Sequence, residues 1–480
     1  MLNYKFALLR LSLKLSLKPL FLLSLFIMPN YTYAADFNAA TLSLSWGIPF
    51  VGILLSIALF PLFLPTIWHH HYGKIVAGWT LLFIIPFGYF FGIITVSQTI
   101  AHAMLEEFIP FILLLLALFT VSGGILVSGN LKGTPKFNVM LLAIGAILAS
   151  VMGTTGAAML MIRPLIRAND NRRHRVHTII FFIFLVANIG GGLTPLGDPP
   201  LFIGFLKGVD FSWTILHMFL PVVLTSIMLL TVFYVLDCYY FKSQDEILPH
   251  DPTPDRAIKI YGKANFLLLA AIIGSVLLSG IWQSDVNFWV FSSQISLPNL
   301  VRDILFVLIT IVSILITPKQ VRTGNEFNWQ PIIEVAKLFI GIFITIAPVI
   351  AILRAGNEGA LANIVALVTN EAGEPINIMY FWLSGLLSGF LDNAPTYLVF
   401  FNLASGDATL LMGEYQTTLV AISMGSVFMG ALTYIGNAPN FMVKSIATQS
   451  HIDMPTFFGY MKWSIGILIP IFIINCLIFF

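Results

Sequence analysis

"GGLTPLGDPPLF", residues 191–202, lies inside a strongly apolar segment and returns as "GALTYIGNAPNF", residues 430–441. The copies align without gaps, with Gly, Leu, Thr, Gly, Pro and Phe matched in order, six identities in twelve positions. Glycine permits strained backbone and proline removes a backbone donor, so each copy is expected to interrupt a helix. Segment 177–207 would reach about 45 Å as an unbroken helix against a hydrocarbon core of about 30 Å, so length demands the same interruption. A second signal accompanies each break. "GTTG", residues 153–156, divides the apolar run 137–166, and "LDNAPT", residues 391–396, divides 376–404. Thr154 stands 40 residues before Thr194 (194 − 154), and Asp392 stands 41 before Thr433 (433 − 392). Both runs are too long for one straight span of ~20 residues and too short for two with a turn. A re-entrant hairpin fits, its irregular tip surrounded by protein or a water-filled cavity.

The rest of the chain supplies the bilayer context. Of 480 residues, 58% are hydrophobic and 10% charged, and the mean hydropathy is +0.92. These values exclude a string of soluble domains and predict an all-α polytopic membrane protein. A formal net charge of +2 gives no reason to expect nucleic acid as a partner. Lys5, Arg10, Lys14 and Lys18 precede a short apolar stretch, 20–28, and then small residues at Ala34 and Ala35, the layout of a secretory signal peptide over 1–35. Its removal would leave the mature N-terminus outside.

Spans are expected near 46–67, 75–96, 108–127, 177–207, 213–236, 264–281, 300–317, 331–353, 413–446 and 460–479, about ten transmembrane helices plus the two hairpins. The most basic short connection, "RANDNRRHR" at 167–175, is placed in the cytoplasm by the positive-inside rule. Segments 282–299, 355–375 and 405–412 contain no Lys or Arg and fall outside. This pattern divides the chain into a first repeat at 46–236, a cytoplasmic linker at 237–263 and a second repeat at 264–480. Each repeat holds three helices, a hairpin, a broken helix and a last helix. An odd number of crossings per unit makes the second copy inverted, so the first hairpin enters from the cytoplasm and the second from outside. Cys238 and Cys476 then lie at opposite faces, which argues against a disulfide. Inverted repeats with discontinuous helices at matching positions are the signature of a secondary transporter with its site at the midplane.

A carboxylate at membrane depth costs at least ~2.5 to 3.5 kcal/mol and marks a functional site by default, which singles out Asp198 and Asp392. Their bland alternative is a helix cap. Thr194 and Thr433 offer hydroxyl oxygens at equivalent places, Asn393 and Asn437 offer amide oxygens, and Asn188 lies one turn before the first break. Freed carbonyls at the breaks suit a cation, whereas helix N-termini suit an anion such as a carboxylate. Arg163 and Arg354 are expected to snorkel to headgroups. Glu106 and Glu107 are expected just before the third span, at the outer mouth. His69, His70 and His71 read as an interfacial turn in a short cytoplasmic loop rather than a metal tract. "LGDPP" invites comparison with intramembrane aspartyl proteases, but Pro195 stands where their G-x-G-D motif needs its first glycine.

The hairpin tips and breaks, most specifically "GFLDNAPTYLVFFNLASG" at 389–406 and "GALTYIGNAPNF", resemble the ion transporter superfamily, which includes dicarboxylate/sodium symporters, citrate transporters, arsenite permeases and NhaD-type sodium/proton antiporters. The resemblance covers nearly all of the mature chain. It implies a homodimer in a bacterial-type inner membrane, moving by an elevator-like displacement, with paired Na+ sites at tips and breaks. Carried over by position, one site uses Thr154, Thr155, Thr194 and Asp198, and the other Asp392, Asn393, Thr433 and Asn437. Na+ is expected at Asp198 with Thr194 and at Asp392 with Asn393. The carboxylate carriers have Ser-Asn-Thr at both tips, and this chain does not. The expectation is therefore a Na+/H+ antiporter, not an enzyme, with no cofactor beyond the transported ions. Na+-coupled citrate or dicarboxylate symport is the alternative, and an intramembrane aspartyl protease a remote one.

Overall fold

Apolar runs become helices because, away from water, every backbone N–H and C=O must be paired within its own segment. The computed structural model describes residues 42–130, 132–242, 256–291 and 293–480. The expected signal segment, 1–35, and much of the linker lie outside the described residues. Among the described residues nine helices are long and apolar enough to cross a membrane, or ten if the bent pair Gln330–Thr345 and Ala347–Arg354 is one span. The chain is an all-α polytopic membrane protein. Two small antiparallel strand pairs join loops, Leu126–Asn130 with Arg256–Tyr261 and Asn287–Val290 with Ser293–Ser296.

Several boundaries differ from the sequence reading. The second span starts earlier, as Pro65–Phe91, so His69, His70 and His71 lie in its first turns rather than in a loop. Pro65 at the first helical position nucleates that earlier start. The third span is the helical stretch Ile93–Ser122 rather than 108–127. Glu106 and Glu107 therefore sit inside it, on a π-helical turn at Ala103–Phe108, and not before it. Glu107 is buried and ion-paired with Lys207, which removes the reason for a charged residue to end the span. Linker residues 237–241 continue the helix Phe211–Phe241, and 256–261 form a strand. Arg163 pairs with Glu326 at 2.9 Å, and Arg354 Nε donates to Asn402 Oδ1 at 2.9 Å, so both bind protein. Cys238 and Cys476 are free.

Two helical hairpins position the site. In the first, Pro135–Met152 and Thr154–Ala168 are joined by Gly153 alone, at φ +80°, a conformation that favours glycine. Its arms close at their far ends, where Gly133 N donates to Ala168 O at 2.6 Å and Asn138 Nδ2 to Asn169 Oδ1 at 2.8 Å. In the second, Asn377–Phe390 and Asn393–Ala404 turn at Leu391 and Asp392, and the rings of Tyr380 and Phe400 meet near the open end, 6.2 Å apart.

The helix Phe211–Phe241 fixes how the hairpins face each other. Near its end, Asp237 Oδ2 accepts from Asn138 Nδ2 at 3.0 Å, beside the base of the first hairpin. Near its start, Trp213 Nε1 donates to Met412 O at 3.1 Å, on the short helix that follows the second hairpin. At ~1.5 Å rise per residue these anchors are about 36 Å apart. The hairpins thus enter from opposite ends, and their tips meet between.

The anchor at Asp237 is a buried charge cluster. Arg172 Nη2 lies 2.6 Å and His177 Nε2 2.8 Å from Asp237 Oδ1, and all three side chains are at most 2% exposed. Removing one partner of a buried pair leaves the other charge uncompensated. Asp237→Ala is expected to destabilise the protein by about 3–5 kcal/mol, read as a fall in the thermal unfolding midpoint in detergent, with Arg172→Met/Asp237→Leu less damaged than the single variant.

Candidate functional site

Both breaks fold alike. The helix Val176–Leu185 is followed by a 3-10 turn at Ile189–Leu193, and Gln416–Phe428 by one at Met429–Leu432. Next comes a threonine in extended conformation, Thr194 at φ −134°, ψ 158° and Thr433 at φ −136°, ψ 168°. Thr194 Oγ1 donates to Ser150 O and Thr433 Oγ1 to Gly389 O, each at 2.5 Å, binding each break to the hairpin of its own repeat. The same hydroxyls accept from the N–H of Leu196 and Ile435 at 3.2 Å. Asp198 and Asn437 then cap the second helices, Pro199–Leu206 and Ala438–Gln449, at φ −143° and −150°.

An N-cap carboxylate ordinarily accepts from the N–H groups of its own first turn. Pro199 and Pro200 carry none, and the Asp198 side chain makes no such cap bond. It turns inward instead, 2% exposed. Thr154 Oγ1, at the first hairpin tip, donates to Asp198 Oδ1 at 2.9 Å. Asn437 Nδ2, at the second break, donates to the same oxygen at 3.1 Å. Asn393 Nδ2, at the second hairpin tip, donates to Asp198 Oδ2. Among the described residues no Lys, Arg or His forms an ion pair with Asp198. The three buried residues Thr154, Asn393 and Asn437 are neutral, so the group lies among dipoles without a compensating charge.

Four helices begin around this carboxylate: Thr154–Ala168, Pro199–Leu206, Asn393–Ala404 and Ala438–Gln449. Their positive ends favour negative charge, which helps to hold the carboxylate there. A single carboxylate among oxygen-bearing side chains can bind a proton or a small cation, and either neutralises it.

The other expected residues divide. Asp392 is half-buried and caps its own helix, accepting from Ala394 N at 3.1 Å. Its neighbour Asn393, rather than Asp392 itself, reaches Asp198, so the hydrogen bonds to Asp198 do not include the second carboxyl group. Thr155 is half-buried and joins none of the bonds to Asp198 described above. Asn188 is fully buried and joins the site through Asn437, 3.4 Å away. Sequence reasoning missed Ser150 and Asn440. Ser150 Oγ donates to Gly190 O at 2.5 Å, and Asn440 Oδ1 accepts from Asn188 Nδ2 at 2.7 Å. The signal for Asn440 was present as a polar residue three places after Asn437, where the first copy of the motif has Leu201.

Comparison with known proteins agrees with this architecture. The family model described as "Putative citrate transport" matches residues 39–480. An uncharacterized transporter of Mycobacterium tuberculosis and another of Mycobacterium bovis are each 25% identical over 325 residues, covering 66% of this chain and 71% of the relative.

The packing around Asp198 leaves no room at Gly191, where an added Cβ would lie 2.5 Å from Thr154 Cγ2 and 3.0 Å from Asp198 Cβ. Gly78 has open space around it. Gly191→Ala is expected to cost about 1–3 kcal/mol and Gly78→Ala nothing measurable, as read by the folded fraction surviving a heat step on gel filtration.

Proposed function

The chain belongs to this citrate-transport family of membrane transporters, and on that premise we propose that it is a secondary active antiporter exchanging cytoplasmic Na+ or Li+ for protons at Asp198. The observation that carries the reading is the buried Asp198 carboxylate, held by Thr154, Asn393 and Asn437 and given no basic partner among the described residues. An unneutralised carboxylate at membrane depth costs at least ~2.5 to 3.5 kcal/mol, so the site favours occupation. A proton and a Na+ ion each cancel the same charge and exclude one another from the same oxygens. Two ligands competing for one site that moves only when neutral are exchanged, not carried together. Alternating access then requires the tips to part from one side at a time, with the elements of each repeat moving about the fixed site.

In this reading the protein lies in a bacterial-type inner membrane as a homodimer, its mature N-terminus outside and its two repeats inverted. Asp198 is the exchanging group. Asp392 shapes the tip that carries Asn393.

A second reading, Na+-coupled uptake of citrate or a related carboxylate, is favoured by the four helix N-termini around the site and by the family's description. Both readings are tested in proteoliposomes. For antiport, Na+ or Li+ dissipates a pH gradient between pH 6 and 9, Asp198→Asn abolishes this, and Asp392→Asn, which keeps a capping side chain, retains at least a tenth of the rate. Labelled citrate accumulating only with an inward Na+ gradient, without Na+-driven dissipation of the pH gradient, would establish symport instead.

A further inference from the structure

Beyond the residues that touch Asp198, a chain of amides joins the two breaks, and its direction is set by groups that can only accept. Asn440 Nδ2 donates to the carbonyls of Gly430 and Thr433, each at 2.9 Å. Carbonyls have no proton to give, so the nitrogen of Asn440 must face them and its oxygen must face Asn188. Asn188 Nδ2 donates to that oxygen at 2.7 Å and to the Ile183 carbonyl at 2.8 Å. This leaves Asn188 Oδ1 turned towards Asn437 Nδ2 at 3.4 Å. The Ala187 carbonyl, at 3.0 Å, and Asp198 Oδ1, at 3.1 Å, point at the same nitrogen. Three oxygens therefore surround one amide nitrogen that has two N–H groups.

We propose that Asn440 is a positioning residue for the cation site: it locks the oxygen of Asn188 inward, so that Asn188, the Ala187 carbonyl and Asp198 form an oxygen wall for a cation. The inference rests on the reading of Asp198 as the exchanging group. The Asn437 amide nitrogen occupies the place that the wall encloses, and a cation entering there displaces it. Hard cations are held by oxygen, so an Asn188 turned to present N–H would repel the ion it should bind. The lock crosses from one repeat to the other, and it is not duplicated: the position matching Asn440 in the first copy is Leu201. Gly430 is part of the same fit, since an added Cβ would lie 3.0 Å from Asn188 Oδ1.

The test compares wild type, Asn440→Leu, Asn188→Ala and the double variant in proteoliposomes, reading KM for Na+ and kcat from the dissipation of a pH gradient. Asn440→Leu installs the side chain found at the matching place in the first repeat. The expected result is a rise in KM for Na+ of at least tenfold with kcat within threefold. Asn188→Ala gives the same rise, and the double variant no more than either single one, because both break one relay. A merely structural role lowers the yield of folded protein and leaves KM where it was. Should Asn440→Leu fail to fold, Asn188→Ala and Asn440→Ser carry the same KM test. KM unchanged in folded variants of an active wild type overturns the relay alone. A wild type without Na+-dependent exchange overturns the cation reading itself, and the relay with it.

Discussion

A buried carboxylate with no basic partner among the described residues organises this protein. Asp198 is buried where four helices begin, and its two oxygens accept from a threonine and two asparagines, with no Lys, Arg or His among the described residues paired to it. Asp237 is the contrast within the same chain: equally buried, it is charge-paired with Arg172, lies 2.8 Å from His177 Nε2, and serves to anchor the first hairpin. One acid is charge-matched and structural. The other is satisfied in hydrogen bonds and unmatched in charge, which is the condition under which binding a proton or a metal ion changes the energy of the whole site.

The geometry that delivers Asp198 follows from local chemistry. Pro199 and Pro200 bring no N–H to the first turn, Leu201 N donates to the Asp198 main-chain carbonyl at 3.1 Å, and Gly191 lets Thr154 approach within the volume a Cβ would fill. Thr194 and Thr433 fasten each break to the hairpin of its own repeat through hydrogen bonds of equal length. The two halves then meet tip to tip. Symmetry builds the frame, and asymmetry builds the site: Asp198 faces Asn437 across equivalent caps, and Asn440 has a leucine as its counterpart.

Much of this was legible in the sequence because it depends on repeated motifs and on glycine and proline chemistry. The breaks, the hairpins and the singling out of Asp198, Asn393 and Asn437 all came from the pairing of "GGLTPLGDPPLF" with "GALTYIGNAPNF" and of their upstream interruptions. What was not legible depends on partners distant in sequence. Glu106 and Glu107 look like the end of a span until Lys207, a hundred residues away, is found against Glu107. The histidines at 69–71 look like a loop because hydropathy falls there, although the backbone is already helical. Thr194 and Thr433 stand at matching places in the breaks, and their hydroxyls bind backbone; Asn440 was overlooked because the partner that ties it to the site, Asn188, is 252 residues away in the other repeat.

The central claim is that a metal ion and a proton contend for Asp198. Purified protein in a weakly buffered detergent solution, at a pH where exchange is active, can be titrated with NaCl against a choline chloride control while released protons are counted with an indicator dye. The account predicts saturable release approaching one proton per protomer, absent in Asp198→Asn. Saturable release that persists unchanged in Asp198→Asn, or Na+ binding with no proton release at any pH between 6 and 9, would contradict it.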